Sequence, residues 1–317
     1  MNILITGSSG FIGFHVAQKL LQQWHSVIGV DNENEYYDVA LKQTRRTILE
    51  NHPNFKFYCL SIEQLDPLKK VFNENSIDKV IHLAAQAGVR YSLIDPFSYI
   101  QTNIVWFHNL IELAKQHAIK KFIYASSASV YGNNKKIPFS VDDPTDEPLS
   151  LYWATKKSTE LIAYSYSFYF WLPTVGLRYF NVYGPWWRPD GAFFIFTKGI
   201  LEEKTIDVYN NGNTLRNFTY IDDIVDWTIK ALEHETTYEI FNLWNITPVL
   251  LNDMIKHIED ACWKKAKKQY LPADKADIPE SGVDIEHTIQ KLQWQPITDI
   301  KEGVALLVDR YKDFYHF

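Results

Sequence analysis

The sequence predicts an α/β protein with a doubly wound parallel sheet and a smaller C-terminal lobe. Three observations predict it. Short apolar runs alternate with longer periodic segments over residues 1–178, a glycine-rich loop follows the first run, and polar residues stand where later runs end. Alternating strand and helix signals are typical of a parallel sheet covered by helices on both faces. Such sheets bind their ligands at the carboxyl ends of the strands.

Six short apolar runs predict the strands of this sheet, at 3–6, 26–31, 55–60, 79–83, 121–125 and 174–178. Helix-like stretches lie between and after them, at 11–24, 39–50, 64–73, 97–117 and 151–170. Residues 179–212 are rich in Gly, Pro, Asn and aromatic residues, and further helices are predicted at 219–233, 252–266 and 299–315. We therefore expect a sheet domain of residues 1–178, rejoined by 213–244, and a substrate-binding lobe of residues 179–317.

The composition argues against several classes of function. The formal net charge is −6, whereas nucleic-acid binding needs clustered Lys and Arg, and the one basic cluster, at 264–268, is predicted to be a solvated helix face. Cys59 and Cys262 are the two cysteines, so neither a disulfide framework nor a metal site is indicated, and Cys59 is expected to be buried. Because we find no signal peptide and no apolar stretch of membrane-spanning length, we expect a cytoplasmic protein without a membrane partner.

The glycine-rich loop predicts a dinucleotide site. Gly7, Gly10 and Gly13 follow the first predicted strand and open the first predicted helix, where glycine lets the backbone approach a pyrophosphate at the helix N-terminus. Asp31 ends the second predicted strand, and its carboxylate can accept hydrogen bonds from both ribose hydroxyls. That carboxylate would repel a 2′-phosphate, and no Lys or Arg stands between Asp31 and Lys42 to offset it. The pattern predicts a Rossmann-type fold that binds NAD rather than NADP.

A tyrosine and a lysine on one helix face predict proton chemistry. Tyr152 and Lys156 are four residues apart, and a nearby ammonium together with the positive nicotinamide ring favours the phenolate of a tyrosine. Tyr152 could then act as a general base. Ser126 and Ser127 end the strand predicted at 121–125, at the sheet edge where ligands bind. A serine there can bond a substrate hydroxyl and relay its proton to Tyr152.

At these residues the chain resembles the extended short-chain dehydrogenase/reductase family, and the resemblance runs over nearly its whole length. The matching motifs are HLAAQAGVR at 82–90, SSASVYG at 126–132, YxxxK at 152–156, RYFNVYGP at 178–185 and RNFTYIDD at 216–223. Together they are specific for members that act on nucleotide-diphosphate sugars. Sugar 4,6-dehydratases and UDP-glucuronate decarboxylases carry a Glu where this chain has Ala128. The resemblance is therefore closest to the 4-epimerases.

Two further segments are similar to UDP-glucuronate 4-epimerases, namely NEYYDVALK at 34–42 and YGPWWRPD at 183–190. The resemblance implies that Arg188 pairs with a hexuronate carboxylate, for which a guanidinium has the right geometry. Asn181 stands where uronate epimerases usually have Thr, as in glucose-type epimerases and decarboxylases. The alternatives are therefore a UDP-glucose or UDP-N-acetylhexosamine 4-epimerase and a non-catalytic NAD-binding regulator, although regulators tend to lose the YxxxK pair.

Three other positions depart from the family pattern. Ser61 stands where many relatives have an Asp that contacts adenine, which implies looser adenine binding. Trp187 replaces a Gly, and Gly191 replaces a larger residue. Both changes are expected to reshape the sugar pocket.

The resemblance also implies a mechanism and a set of contacts. Tyr152, through or beside Ser127, takes the proton of the sugar 4-hydroxyl while hydride passes from C4 to NAD. The 4-keto sugar then turns about its pyrophosphate, and hydride returns to the other face. The implied cofactor contacts are Gly7, Gly10, Phe11, Ile12, Gly13, Asp31, Asn32, Ser61, Ile62, Leu83, Ala84, Ala85, Tyr152 and Lys156. The implied contacts of the UDP-sugar are Arg90, Ser127, Tyr152, Asn181, Arg188, Val208, Tyr209, Arg216 and Asp277.

The resemblance also implies roles for two of the predicted helices. Asn103 matches a family position that supports the active-site helix. A buried asparagine with only a structural role is an equally good interpretation. Relatives dimerise by packing the helices at 97–117 and 151–170 into a four-helix bundle. The aromatic residues that support a homodimer here are Trp106, Phe107, Tyr164, Phe168 and Tyr169.

Overall fold

A seven-stranded parallel sheet forms the centre of the structure, a computed structural model that describes residues 1–89, 91–189, 191–272 and 282–317. The strands are β1 Asn2–Thr6, β2 Ser26–Asp31, β3 Phe55–Cys59, β4 Lys79–His82, β5 Lys121–Ser127, β6 Thr174–Tyr179, β7 Val182–Tyr183, β8 Thr205–Tyr209, β9 Leu215–Asn217, β10 Thr219–Tyr220, β11 Tyr238–Leu243, β12 Pro248–Leu250 and β13 Lys267–Leu271. The order in the large sheet is β11-β6-β5-β4-β1-β2-β3, and the other strands pair two by two.

The helices follow the strands of the sheet in alternation. They are α1 Phe11–Gln22, α2 Val39–Glu50, α3 Leu65–Glu74, α4 Pro96–Ile100, α5 Trp106–Gln116, α6 Leu151–Phe170, α7 Ala192–Leu201, α8 Ile221–Glu233, α9 Leu251–Cys262, α10 Glu286–Leu292 and α11 Ile300–Tyr315. A π-helical segment, Gln101–Val105, joins α4 to α5. No helix in the described ranges is long and apolar enough to cross a membrane.

Successive residues of the central strands feed two separate cores, because side chains alternate between the faces of a sheet. Ile3 and Ile5 of β1 pack with α1 and α8, whereas Leu4 between them packs with α3, α5 and α6. β6 is buried along its whole length, as expected for a parallel strand covered on both faces. The first core continues into α7, α9 and α11, so it also supports the C-terminal lobe.

Parts of the chain differ from the pattern predicted by the sequence. The helix expected at 97–117 is divided into α4, the π-helical segment and α5. α9 ends at Cys262 because Trp263 takes a left-handed conformation with φ 57°, so the basic cluster at 264–268 is not a helix face and partly forms β13. Cys59 is exposed at the end of an outer strand of the sheet instead of buried.

Candidate active site

The glycine loop packs so closely against its surroundings that side chains are excluded. Gly7 has φ +76°, and a Cβ on it would lie 2.7 Å from the backbone nitrogen of Ala84. A Cβ on Gly13 would overlap the carbonyl oxygen of Gly7. Gly10 precedes α1 without a side-chain cap, so the first amides of the helix keep their positive end open to an anion. This cradle fits the pyrophosphate of a dinucleotide.

The carboxylate of Asp31 is fixed at the end of β2 by two backbone amides. It accepts hydrogen bonds from the amide nitrogens of Ser9 at 3.0 Å and Glu33 at 2.8 Å. Burial raises the pKa of Asp31, whereas these bonds and the nearby charges of Lys42 and Arg45 lower it. The carboxylate is thus held next to the glycine loop, where a ribose would lie against it.

Two cations, Lys42 and Arg45, lie near Asp31. The sequence did not predict this, because α2 brings them to the glycine loop from a distant part of the chain. The Lys42 ammonium donates to the backbone oxygen of Asn34 at 2.6 Å and to its side-chain oxygen at 2.7 Å. Arg45, which is fully buried, donates to the carbonyl oxygen of Ser9 at 3.0 Å and to the phenol of Tyr37 at 2.8 Å. Both cations are therefore engaged by neighbouring groups.

The other residues expected around the cofactor follow strands at the same edge of the sheet. Thr6 pairs with both Val30 and His82, so the segments after β1, β2 and β4 leave the sheet side by side. The structure places Phe11 and Ile12 in the first turn of α1, Asn32 directly after β2, Ser61 and Ile62 shortly after β3, and Leu83, Ala84 and Ala85 after β4. Within the described residues, the buried hydroxyl of Ser61 has no hydrogen-bond partner.

Tyr152 lies in the first turn of α6, facing the end of β5. The helix begins here because the Ser150 hydroxyl caps it by accepting a bond from the Trp153 amide at 3.3 Å. Burial raises the pKa of the Tyr152 phenol, while its hydrogen bond with Ser127 and the charge of Arg188 lower it. The structure thus brings a phenol, a serine hydroxyl and the field of a guanidinium to one place.

Lys156 is one turn further along α6 and is buried. Its ammonium donates to the carbonyl oxygen of Ala125 at 2.8 Å, and burial lowers its pKa to about 8. Ser127 in turn accepts bonds from the hydroxyl of Ser129 at 2.9 Å and from its amide at 3.2 Å. Lys156 and Ser127 are therefore both fixed at the end of β5.

Ser126, predicted as a catalytic residue, is not brought to this cluster. Its hydroxyl donates to the carboxylate of Glu160 at 2.6 Å and is buried. Because adjacent strand residues point to opposite faces, Ser126 and Ser127 cannot both face the same site. Ser126 belongs instead to a buried network beneath the site.

That network is built on an ion pair which sequence reasoning missed. Arg178 donates through two nitrogens to Glu160, at 2.8 and 2.9 Å, and both side chains are almost fully buried. Arg178 also donates to the phenol of Tyr131 at 2.8 Å, and this phenol donates to Asn242 at 2.6 Å. The network of these four side chains joins α6, β6 and β11. A signal existed, since Glu160 is four residues after Lys156 and hence on the same helix face.

Asn103 links the loop after β4 to α6. Its side chain accepts a bond from the amide of Gln86 at 2.9 Å and donates to that residue's carbonyl at 3.0 Å. It also donates to the hydroxyl of Thr155 at 3.1 Å, which donates to the carbonyl of Tyr152 at 2.8 Å. The π-helical segment that carries Asn103 is the kind of irregularity that recurs at functional sites.

The loop that carries Arg188 is attached to the glycine-loop side of the site. The ring of His15 on α1 donates to the carbonyl oxygen of Pro185 at 3.0 Å, and Arg45 donates to that of Trp186. Burial lowers the pKa of His15 to about 4, so this ring is neutral at neutral pH. Arg188 itself is half-buried; burial raises the pKa of Tyr37 and of Tyr152, and the charge of Arg188 offsets part of both rises.

The remaining residues expected around the nucleotide lie in the short strands of the C-terminal lobe. The amide of Asn181 donates to the carbonyl of Asn217 at 3.1 Å, and its backbone has a positive φ of 29°. Val208 is buried in β8 and Tyr209 is half exposed at its end, while Arg216 is half-buried in β9. Arg90 and Asp277 lie outside the described residues.

Comparison with known proteins gives consistent matches. The model of the NAD dependent epimerase/dehydratase family matches residues 3–244. A UDP-glucuronate 4-epimerase of Thermodesulfobacterium geofontis is 44% identical over 98% of this chain and 96% of its own. The solved UDP-glucuronic acid 4-epimerase from Bacillus cereus, in complex with UDP-glucuronic acid and NAD, has a TM-score of 0.91 and 36% identity over 99% of this chain and 100% of its own. A UDP-glucose 4-epimerase with UDP-glucose from Thermotoga maritima gives 0.88 and 32%, again over 99% and 100%.

Proposed function

We propose that this chain, which belongs to the NAD dependent epimerase/dehydratase family, inverts C4 of UDP-glucuronate to give UDP-galacturonate. The observation that carries the proposal is the position of Arg188, whose charge reaches Tyr152 and offsets part of the rise that burial causes in the pKa of the phenol. A cation beside the proposed base is suited to a substrate that brings a carboxylate to the same place. The likeness to UDP-glucuronate 4-epimerases over nearly the whole chain supports the same substrate.

The proposed roles divide between the two sides of the site. Residues 1–178 would hold NAD, with its pyrophosphate on Gly7, Gly10 and Gly13 and a ribose on Asp31. The bound cofactor supplies the acceptor and donor of the C4 hydride. The lobe of residues 179–317 would hold UDP, with Arg216 at the phosphates and with Asn181, Val208 and Tyr209 around the diphosphate and uracil.

The proton steps are assigned to α6 and the end of β5. Tyr152 would take the proton of the 4-hydroxyl, with Ser127 bonded to the phenol, and would return a proton after the sugar has turned. Lys156, fixed to the carbonyl of Ala125, would add a positive charge below the cofactor. Asn103 would act only by position, because its contact with Tyr152 passes through Thr155.

The alternative substrate is UDP-glucose or a UDP-N-acetylhexosamine. Asn181 favours it, as the residue found in glucose-type epimerases, and so does the likeness to the Thermotoga maritima enzyme. In this structure the side-chain nitrogen of Asn181 donates to the backbone oxygen of Asn217. The side-chain oxygen of Asn181 would then be the atom that accepts a hydrogen bond from the substrate.

We also propose a homodimer formed through α5 and α6. Helix α6 exposes a row of large apolar side chains to solvent: Leu161, Tyr164, Phe168 and Tyr169 are between 52% and 73% exposed. Phe107 differs from the expectation, since it is buried in the core, and Trp106 is partly buried against that core. Contiguous exposed apolar surface of this kind is typical of an interface. The cytoplasmic location stays a prediction.

The deciding experiment is to incubate the purified protein with UDP-glucuronate and, separately, with UDP-glucose, and to follow the sugar protons by NMR. We expect UDP-galacturonate to form. The Tyr152→Phe variant should retain NAD and give no product. Conversion of UDP-glucose alone would overturn the uronate assignment in favour of the alternative, and full activity of Tyr152→Phe would overturn the assigned base.

A matched measurement isolates the carboxylate contact. Arg188→Ala should raise the KM for UDP-glucuronate about 10- to 100-fold, the usual cost of losing a hydrogen bond to a charged group. The inhibition constant of UDP-glucose, which has the same nucleotide and no carboxylate, should change much less. An equal loss for both sugars would remove Arg188 from carboxylate binding.

A further inference from the structure

The loop at 185–188 contains a large residue, Trp187, directly before the arginine assigned to the substrate. Trp187 has the largest side chain of the natural amino acids and Gly191, four residues later, has none. The structure relates these two residues to each other.

The indole of Trp187 occupies the space that a side chain at residue 191 would need. A Cβ on Gly191 would lie 2.6 to 2.7 Å from three atoms of the six-membered ring, closer than side-chain atoms pack. The ring cannot easily give way, since it is partly buried and packs edge-to-face on Phe193, with ring centroids 5.4 Å apart. Phe193 is fully buried and stacks on Tyr183 at 4.7 Å. The indole is thus seated between Gly191 and the start of α7.

The backbone of Gly191 is also bonded to that of Arg188. The amide of Gly191 donates to the carbonyl oxygen of Arg188 at 3.4 Å, so the two residues close one turn. On the other side of Trp187, the carbonyls of Pro185 and Trp186 are held by His15 and Arg45. Trp187 is therefore the side chain that fastens the C-terminal half of this loop, as the two donors fasten its N-terminal half.

We propose that Trp187 and Gly191 are a matched pair that positions Arg188 and so determines how strongly the site binds a hexuronate carboxylate. The inference rests on the proposed function and adds to it two positioning residues that touch neither substrate nor cofactor. A larger residue at 191 would displace the indole and shift Arg188 with it. Removing the indole would leave a void next to Gly191 and release the same turn.

A double-mutant cycle tests the pair. The variants are Trp187→Gly, Gly191→Met and both together, with Gly191→Ala as a milder form should Gly191→Met fold poorly. Each single variant should raise the KM for UDP-glucuronate about tenfold or more, by weakening the charge-assisted contact of Arg188, with a smaller effect on kcat. The double variant should recover most of the loss, because the side chain at 191 refills the vacated space.

The controls separate positioning from general damage. The inhibition constant of UDP-glucose and the NAD content should stay near the wild-type values in every variant, since the nucleotide contacts are unchanged. Trp263→Gly removes a tryptophan that is 89% exposed and should have no effect. Additive effects of the two single variants, or equal losses for UDP-glucose, would overturn the pairing. A wild type that does not convert UDP-glucuronate would instead overturn the proposed function, and the carboxylate role with it.

Discussion

The ammonium nitrogen of Lys156 lies 2.8 Å from the carbonyl oxygen of Ala125, at the point where β5 ends beside α6. The bond holds a lysine in a buried position, where the charged form is penalised and the pKa falls to about 8. The position that suits Lys156 to a role beside the cofactor is therefore one that weakens the fold at neutral pH.

The cost of burying this lysine should be seen in the pH dependence of the free energy of unfolding, measured on the protein without its cofactor. Native Lys156 loses its proton near pH 8, whereas the unfolded chain keeps it up to the ordinary value of 10.5, so the unfolded state binds more protons in that window. The free energy of unfolding contributed by Lys156 should therefore rise with pH, by about 2 kcal/mol between pH 7 and pH 9.5. Urea unfolding of the wild type and Lys156→Met across this range measures the difference.

The exposed Lys70 on α3 offers the control for that comparison. Lys70→Met should follow the wild type at every pH, because the side chain of Lys70 is exposed to solvent and its charge is not buried on folding. A wild-type curve parallel to that of Lys156→Met would show that the lysine is not desolvated as the structure indicates.

Ser61 should limit the affinity for NAD. Its buried hydroxyl has no partner among the described residues, and the family resemblance implies that this position faces adenine. We expect Ser61→Asp to bind NAD about tenfold more tightly, the value of one added hydrogen bond to a charged group. Calorimetric titration of the cofactor-free protein measures it. Ser61→Ala is the control and should bind as the wild type does; weaker binding by Ser61→Asp would contradict the assignment.

Replacing one partner of the Glu160–Arg178 pair should lower the free energy of unfolding more than replacing both partners does. Glu160→Gln leaves a buried guanidinium without its counter-charge, for which the expected loss is about 3–5 kcal/mol of unfolding free energy. Glu160→Gln combined with Arg178→Met should recover part of it, because the unpaired charge is gone. Glu74→Gln, in an exposed pair with Lys70, should cost less than about 1 kcal/mol. Denaturant unfolding distinguishes these cases, and similar losses for Glu160 and Glu74 would count against a buried pair.

The proposed dimer can be tested by one charge on α6. Leu161 is 59% exposed in the single chain, and Leu161→Glu would place a carboxylate in the apolar interface. Sedimentation velocity should show a dimer for the wild type and a monomer for this variant. Leu306→Glu makes the same change on α11, where leucine is 44% exposed, and should remain dimeric. A monomeric wild type would refute the interface.

Much of the fold could be predicted because its signals are local. The six predicted strands and the helices between them agree with β1 to β6 and α1 to α6 to within about two residues, apart from the division at the π-helical segment. Each is a run long enough to show its period. The match to the NAD dependent epimerase/dehydratase family confirms the predicted family, reaction class and cofactor.

What could not be predicted depends on contacts distant in the chain. Helix α7 begins with five consecutive apolar residues, which show no helical period, and β7, β9, β10 and β12 have only two or three residues each. The site itself shows the same limit. The alternation of side chains along a strand could have shown that Ser126 and Ser127 do not face the same site. In contrast, nothing near Lys42 in the sequence indicates that α2 brings Arg45 back to the glycine loop.

Arg45 has a consequence for binding that neither half of the site shows alone. One guanidinium donates both to Ser9 in the glycine loop and to Trp186 in the loop of Arg188, so the two ligand sites share a single cation. A shift of this guanidinium on occupation of one site would change the free energy of occupying the other, and thermodynamics requires the change to be the same in both directions. The dinucleotide and the sugar nucleotide would then each alter the dissociation of the other.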